Sequence, residues 1–269
     1  MNDTINQLSS SGAGSLPLDA GAFAQSFSTA DLLEVWERGQ HQQQVERALT
    51  MLGVAYPNTP RQSLAALSIG QRDGRLIDLR EKLFGSHLTS LTDCPGCGER
   101  LELTFNVGDI RVSVDVRPHD EFLFYGSGYE LRLRLPNSLD LLTLIEAAEP
   151  TERRERLFEQ CVISVVHQGR SKAAAGKEMP AEVVEQAIAR IAEADPQADV
   201  EVDLNCPCCR HTWQTDFDIV SYLWAELHAW ATQLFREVHL LASAYGWSES
   251  DILNMSVKRR RSYLEMLAE

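Results

Sequence analysis

The chain lacks any uninterrupted apolar run approaching the roughly 18 residues of a membrane span, so no transmembrane helix is expected. Residues 1–30 hold neither Lys nor Arg and no apolar block, so no secretory signal is expected either. Basic residues are scarce: 25 Lys and Arg stand against 39 Asp and Glu, a net charge of −14. An acidic surface of that size repels nucleic acid backbones and anionic membranes, and neither is an expected partner. There is no phosphate loop, no G-x-S-x-G elbow and no H-E-x-x-H, and no enzymatic activity is expected. Six cysteines in 269 residues are too few for a disulfide scaffold. What remains, 44% hydrophobic and 24% charged residues, is the mix of a globular protein of one or two domains. The expected location is the cytoplasm.

Four stretches differ in pattern. Residues 1–27, rich in Ser, Gly, Ala, Asn and Gln, read as a flexible tail. A helical region follows over 28–90: Ser28 and Asp31 form a capping box, Val45, Ala48, Leu49 and Leu52 recur at helical spacing, and short helices fit Leu64–Leu67 and Leu76–Leu83, separated by Gly70 and Gly74. In the middle, Leu101–Val107, Val112–Val116 and Tyr129–Leu135 alternate with polar residues, as half-buried antiparallel strands do. Helical pattern returns after Asn137, after Pro150 and after Pro180, and Val200, Val202 and Leu204 mark another strand. Over 217–269 the chain is helical again, with Val220, Leu223, Leu227, Trp230, Leu234, Val238, Leu241 and Tyr245 stepping by three or four. Trp224, Trp230 and Phe235 are anchors for the core or for a partner. Gly246 stops that helix, and Ser248 with Asp251 and then Ser256 start two more.

The cysteines fall into two similar units. Cys94-Pro95-Gly96-Cys97-Gly98 leads into the strand Leu101–Val107; Cys206-Pro207-Cys208-Cys209-Arg210 leads into a strand around Trp213, Thr215, Phe217 and Ile219. Two thiolates spaced C-x-x-C on a tight turn can face one ion, and two such turns supply the four sulfurs that tetrahedral Zn²⁺ accepts. The expected metal ligands are Cys94, Cys97, Cys206 and Cys209, around one structural zinc per chain. Cys208 aligns with Gly96 and reads as a bystander; a shifted register using it, or His211, are the other ligand sets. Cys161, among Leu157, Phe158, Val162 and Ile163, reads as a core residue. A redox role for Cys94 and Cys97 leaves the second pair unexplained. The fold class expected is α+β: mainly helical N- and C-terminal parts around a zinc-ribbon-like pair of cysteine knuckles (91–216) with short antiparallel strands and inserted helices. Lys258-Arg259-Arg260-Arg261, the one dense basic run, reads as a solvated helix turn or as a contact for an acidic partner.

The stretch from His239 to Leu253 (His-Leu-Leu-Ala-Ser-Ala-Tyr-Gly-Trp-Ser-Glu-Ser-Asp-Ile-Leu), followed by Arg260-Arg261-Ser262-Tyr263-Leu264-Glu265-Met266-Leu267, resembles the baseplate hub assembly chaperone family of T-even phages. Leu33-Glu34-Val35-Trp36-Glu37-Arg38-Gly39 and Leu67-Ser68-Ile69-Gly70-Gln71-Arg72-Asp73 are similar to the branch found in gene clusters of phage-tail-like contractile injection systems. The resemblance implies a non-enzymatic role in assembly, with a baseplate hub, spike or tail-tube initiator protein as partner. A second class stays open: a zinc-ribbon module binding nucleic acid or a transcription complex.

Overall fold

The computed structural model describes residues 27–112, 121–144, 149–172 and 179–268. The first helix, α1 (Thr29–Gly39), starts where Ser28 and Asp31 exchange backbone N–H bonds of 3.1 and 2.9 Å. Then come α2 (Gln44–Ala55), α3 (Arg61–Ala65) and α4 (Ile69–Phe84). Glycine was expected to break the last of these. Instead α4 runs through Gly70 and Gly74, because the capping pair Ser68 and Gln71 starts it ahead of both.

Strand β1 (His87–Asp93) pairs antiparallel with β2 (Arg100–Asn106), and the short helix α5 (Val107–Ile110) follows. Strands β3 (Glu121–Gly126), β4 (Tyr129–Arg134), β5 (Val162–His167) and β6 (Arg170–Lys172) form an antiparallel meander. Between β4 and β5 lie α6 (Ser138–Thr143) and α7 (Pro150–Cys161). After the meander come α8 (Ala181–Ala194), then the hairpin β7 (Glu201–Asn205) and β8 (Thr212–Asp216). The chain ends in α9 (Ile219–Tyr245), α10 (Glu249–Leu253) and α11 (Val257–Ala268). Helices thus surround short antiparallel sheets, the α+β class expected from the sequence.

Four strands depart from the sequence pattern. β1, β5 and β6 were not anticipated, and the alternation through Ile219 stops short at Asp216. Of the expected strand over Val112–Val116, Val112 is not in a strand and the rest lies outside the described residues, as does the tail apart from Phe27.

Two cores organise these elements. The larger gathers α1 to α5, Leu88 of β1 and the first half of α9, with Leu49, Leu52, Leu64, Leu76, Ile77 and Leu223 almost wholly enclosed. The smaller lies between the meander and α7 and α8, built on Leu131, Leu133, Phe158, Val165 and Val183. The meander unit is fastened to the helical one at the N-terminus of α4. Just after β4, Pro136 O accepts from the Ile69 N–H at 3.1 Å, and Asn137 bridges Ser68. Just after α8, buried Asp195 accepts from the Gly70 N–H at 2.8 Å, a carboxylate at a helix N-terminus. Gln197 completes the clamp, donating to Ile110 O at 3.1 Å and accepting from the Val112 N–H at 2.8 Å.

Gly70 has no room for a side chain. A Cβ there would overlap the Asp195 carboxylate and stand 2.9 Å from the Ala198 nitrogen. Gly70→Ala should therefore lower stability by about 1–3 kcal/mol, the usual cost of overpacking, despite alanine's better helix propensity. Gly53→Ala, in α2 with open space at its Cβ, is the control and should not destabilise. Urea midpoints of the two variants check this.

Candidate metal centre

Each cysteine unit is the tip of a hairpin. β1 and β2 close on Cys94–Glu99, and β7 and β8 close on Cys206–His211, six residues in both cases. The turns use the same bonds. Gly98 N–H donates to Cys94 O and Arg210 N–H to Cys206 O, both at 2.8 Å; Cys94 N–H donates to Glu99 O at 2.8 Å and Cys206 N–H to His211 O at 2.9 Å. Residue five of each turn has a positive φ, +73° at Gly98 and +61° at Arg210. Glycine takes that conformation freely, so Arg210 holds it at some strain. The close repeat extends beyond the turns: Asn106, the last residue of β2, and Asp218, two residues past β8, each cap a helix, and Phe105 meets Phe217 edge-on at 5.6 Å.

The tips meet. Cys94 Sγ lies 3.6 Å from Cys209 Sγ, and Cys97 Sγ lies 3.7 Å from Cys206 Sγ, so the first cysteine of each unit faces the second of the other. All four sulfurs lie within 4.8 Å of one another. A tetrahedral site with metal–sulfur bonds of about 2.3 Å has edges of about 3.8 Å, so this spacing fits one ion. It is far longer than a disulfide bond. Residues 115 and 109 positions apart are thereby brought together at one point. Cys94 and Cys206 are buried against Leu101, with Leu103 and Trp213 beside them; Cys97 and Cys209 are exposed. Four sulfurs of this kind could hold a metal ion, and four protein ligands leave no open position for a substrate.

Backbone N–H groups temper the sulfur charge. Donation from Cys209 and Cys208 to the Cys206 sulfur draws that thiol down to about 7. At Cys97 donation from Glu99 also lowers it, but Cys209, burial, Cys206 and Cys94 outweigh that and push the thiol up to about 12. Crowded sulfurs therefore resist ionising together, which a cation between them would reverse.

The other cysteines stand apart. Cys208 is exposed at the tip of its turn and outside the cluster, while Cys161 is buried beneath the meander, where burial pushes its thiol up to about 12. His211 stacks on Trp213 and presses on Gly96, where a Cβ would sit 3.1 Å from the imidazole. If the four sulfurs hold a metal, iodoacetamide should modify Cys208 alone in the native protein and five cysteines after chelation, with Cys161 reacting only in denaturant. Peptide mass mapping reads the pattern.

Residues that hold the first hairpin in place were not anticipated. Buried Arg80 donates to both Glu226 oxygens at 2.8 and 2.7 Å, to Gly85 O at 2.6 Å and to His87 O at 2.7 Å. Tyr222 Oη accepts from the Thr89 N–H at 3.0 Å and donates to Thr89 O at 2.9 Å, occupying the open edge of β1. The signal for Arg80 was present: a charge set among Leu76, Ile77, Leu79 and Leu83. On α9, Trp224 lies against Gly39 with Arg47 4.5 Å above its ring, and Phe235 lies 5.3 Å from Trp36. Trp230 packs against the same helical core. These aromatics anchor the core.

Residues 29–224 match the family model described as T4 bacteriophage base plate protein. The chain belongs to that family. The match takes in both cysteine units, the clamp on α4 and the stretches Leu33–Gly39 and Leu67–Asp73, and it stops at Trp224. The C-terminal stretch from His239, on which the resemblance first rested, lies beyond it. No curated protein and no solved structure is significantly similar to the chain. No helix among the described residues is long and apolar enough to cross a membrane. As a base plate protein, the chain is a component or assembly partner of a phage tail structure, in contact with other baseplate proteins.

Proposed function

We propose that this base plate protein is a non-enzymatic assembly chaperone or structural component of the baseplate hub of a contractile phage tail or a phage-tail-like injection system. In this reading Cys94, Cys97, Cys206 and Cys209 hold one structural Zn²⁺, and a hub, spike or tail-tube initiator protein is the partner. The supporting observation is the coincidence of a baseplate family match with a closed set of four sulfurs inside the matched residues. Four sulfur donors suit zinc, and a closed site serves architecture instead of chemistry. The ion clips together the two ends of a region carrying the meander and α6 to α8. The helical parts on either side, 28–90 and 217–269, share one core through α4 and α9. The chain works in the cytoplasm while baseplates form and can enter the finished particle.

Deleting the gene from a host that makes complete particles tests the role. Loss of assembled baseplates, restored by the wild-type gene in trans, supports it. Normal particles without the gene would overturn it.

A further inference from the structure

We propose that the four-sulfur centre is a two-state cross-link: a zinc clip under reducing conditions, which hydrogen peroxide converts into two disulfides, Cys94 with Cys209 and Cys97 with Cys206. This rests on the zinc reading above and gives the same site a second, oxidative chemistry. Three observations carry the inference. First, the site is half open. Cys94 and Cys206 are 2% and 0% exposed, while Cys97 and Cys209 reach solvent. A metal keeps its thiolates deprotonated, so the two outer sulfurs meet solvent in the form that oxidants attack. Second, each outer sulfur has an inner sulfur of the opposite hairpin beside it. Cys97 Sγ lies 3.7 Å from Cys206 Sγ, and Cys209 Sγ lies 3.6 Å from Cys94 Sγ. Third, the protein itself seats the tips. Two backbone bonds of 2.8 to 2.9 Å close each turn, and Arg80 and Tyr222 tie β1 to α9. The sulfurs therefore keep facing one another as the ion leaves.

The steps balance. The Cys97 thiolate attacks one peroxide oxygen: an S–O bond forms, the O–O bond breaks, and the departing hydroxide takes a proton and becomes water. The Cys206 thiolate then attacks the sulfenic sulfur: the S–S bond forms, the S–O bond breaks, and a second hydroxide leaves as water with a second proton. Cys209 and Cys94 repeat the sequence with another peroxide. In all, four thiolates are oxidised to two disulfides, two hydrogen peroxide molecules and four protons become four waters, and the zinc ion is released. A disulfide within either turn would join cysteines three positions apart and leave the hairpins unlinked. The cross-hairpin pairs keep positions 109 and 115 residues apart joined. A protein that folds in a reducing cell and enters a released particle thus retains its cross-link in an oxidising medium.

The test treats the full chain, purified with its metal, with hydrogen peroxide beside a zinc-sensitive dye, then maps its peptides without reductant. The expected result is loss of the zinc, with Cys94 joined to Cys209, Cys97 joined to Cys206, and Cys161 unmodified. The C208S variant lacks the one exposed thiol outside the cluster; it should pair identically and release one zinc per two peroxides consumed. The oxidised chain should melt on the order of 10 °C above the reduced chain stripped by a chelator, because a long loop stays closed. Disulfides within a turn, to Cys208 or between two chains would overturn the proposal. So would sulfinic acids at Cys97 and Cys209 in place of disulfides, zinc retained through the oxidation, or an oxidised chain that melts no higher than the stripped one. A folded chain purified without zinc would instead overturn the metal reading, and this inference with it.

Discussion

Replacing Cys206 with serine is expected to abolish metal retention and to lower the melting temperature by on the order of 10 °C. The size follows from topology. The ion would join positions 109 and 115 residues apart, and a cross-link closing a loop of about 100 residues is worth about 4–5 kcal/mol in chain entropy alone. For a protein above 150 residues each kcal/mol moves the transition by about 2–4 °C. Cys206 is the informative ligand because it is completely buried, with Leu101 and Trp213 around it, so water cannot replace the lost bond. Serine at Cys208, exposed and outside the cluster, should change neither metal content nor melting. If the Cys206 variant kept its metal, or the Cys208 variant lost it, the ligand set would be wrong. Metal analysis and calorimetry on the two variants decide this.

Arg80→Met should cost about 3–5 kcal/mol, the range for removing one partner of a buried ion pair. Arg80 is 2% exposed and its four bonds join three segments: α9 through Glu226, the turn at Gly85, and the start of β1 at His87. Its loss takes that donor from the Gly85 and His87 carbonyls and from the Glu226 carboxylate. Glu226, a quarter exposed, keeps some access to water, so Glu226→Gln should cost less than the arginine change. Arg38→Met provides the contrast. Arg38 pairs with Glu34 one helical turn away, both largely exposed, and should change stability by no more than about 0.5 kcal/mol. Urea unfolding followed by circular dichroism measures all three. Equal effects from Arg80 and Arg38 would remove the claim that Arg80 seats the first hairpin.

The sulfur cluster was legible because its signal is chemical and doubled: two C-P-x-C turns ahead of two strands leave few other arrangements. The helix starts at Ser28, Asn137 and Ser248 were legible for the same reason, since a capping side chain sits within three residues of the groups it satisfies. β1 was not. Only Leu88 of that strand is buried, Ser90 and Thr92 take the other inward positions, and Leu91 points outward, so no apolar alternation exists to be read. β5 hid in Val162-Ile163-Ser164-Val165-Val166, an apolar stretch interrupted only by Ser164, which periodicity cannot separate from the end of α7. At Val107 and Ile219 alternation pointed the wrong way because Asn106 and Asp218 cap helices there, and a local cap outweighs two residues of pattern. The clamp on α4 and the Arg80 pair depend on residues 125 and 146 positions apart and become visible only once the chain is folded.

X-ray absorption at the zinc edge, on full-length protein purified from cells without added metal, examines the central claim most directly. One zinc per chain with four sulfur neighbours at about 2.3 Å and no nitrogen or oxygen in the first coordination sphere is the result predicted. A folded protein that carries no zinc, or a zinc with fewer than four sulfurs, would contradict it.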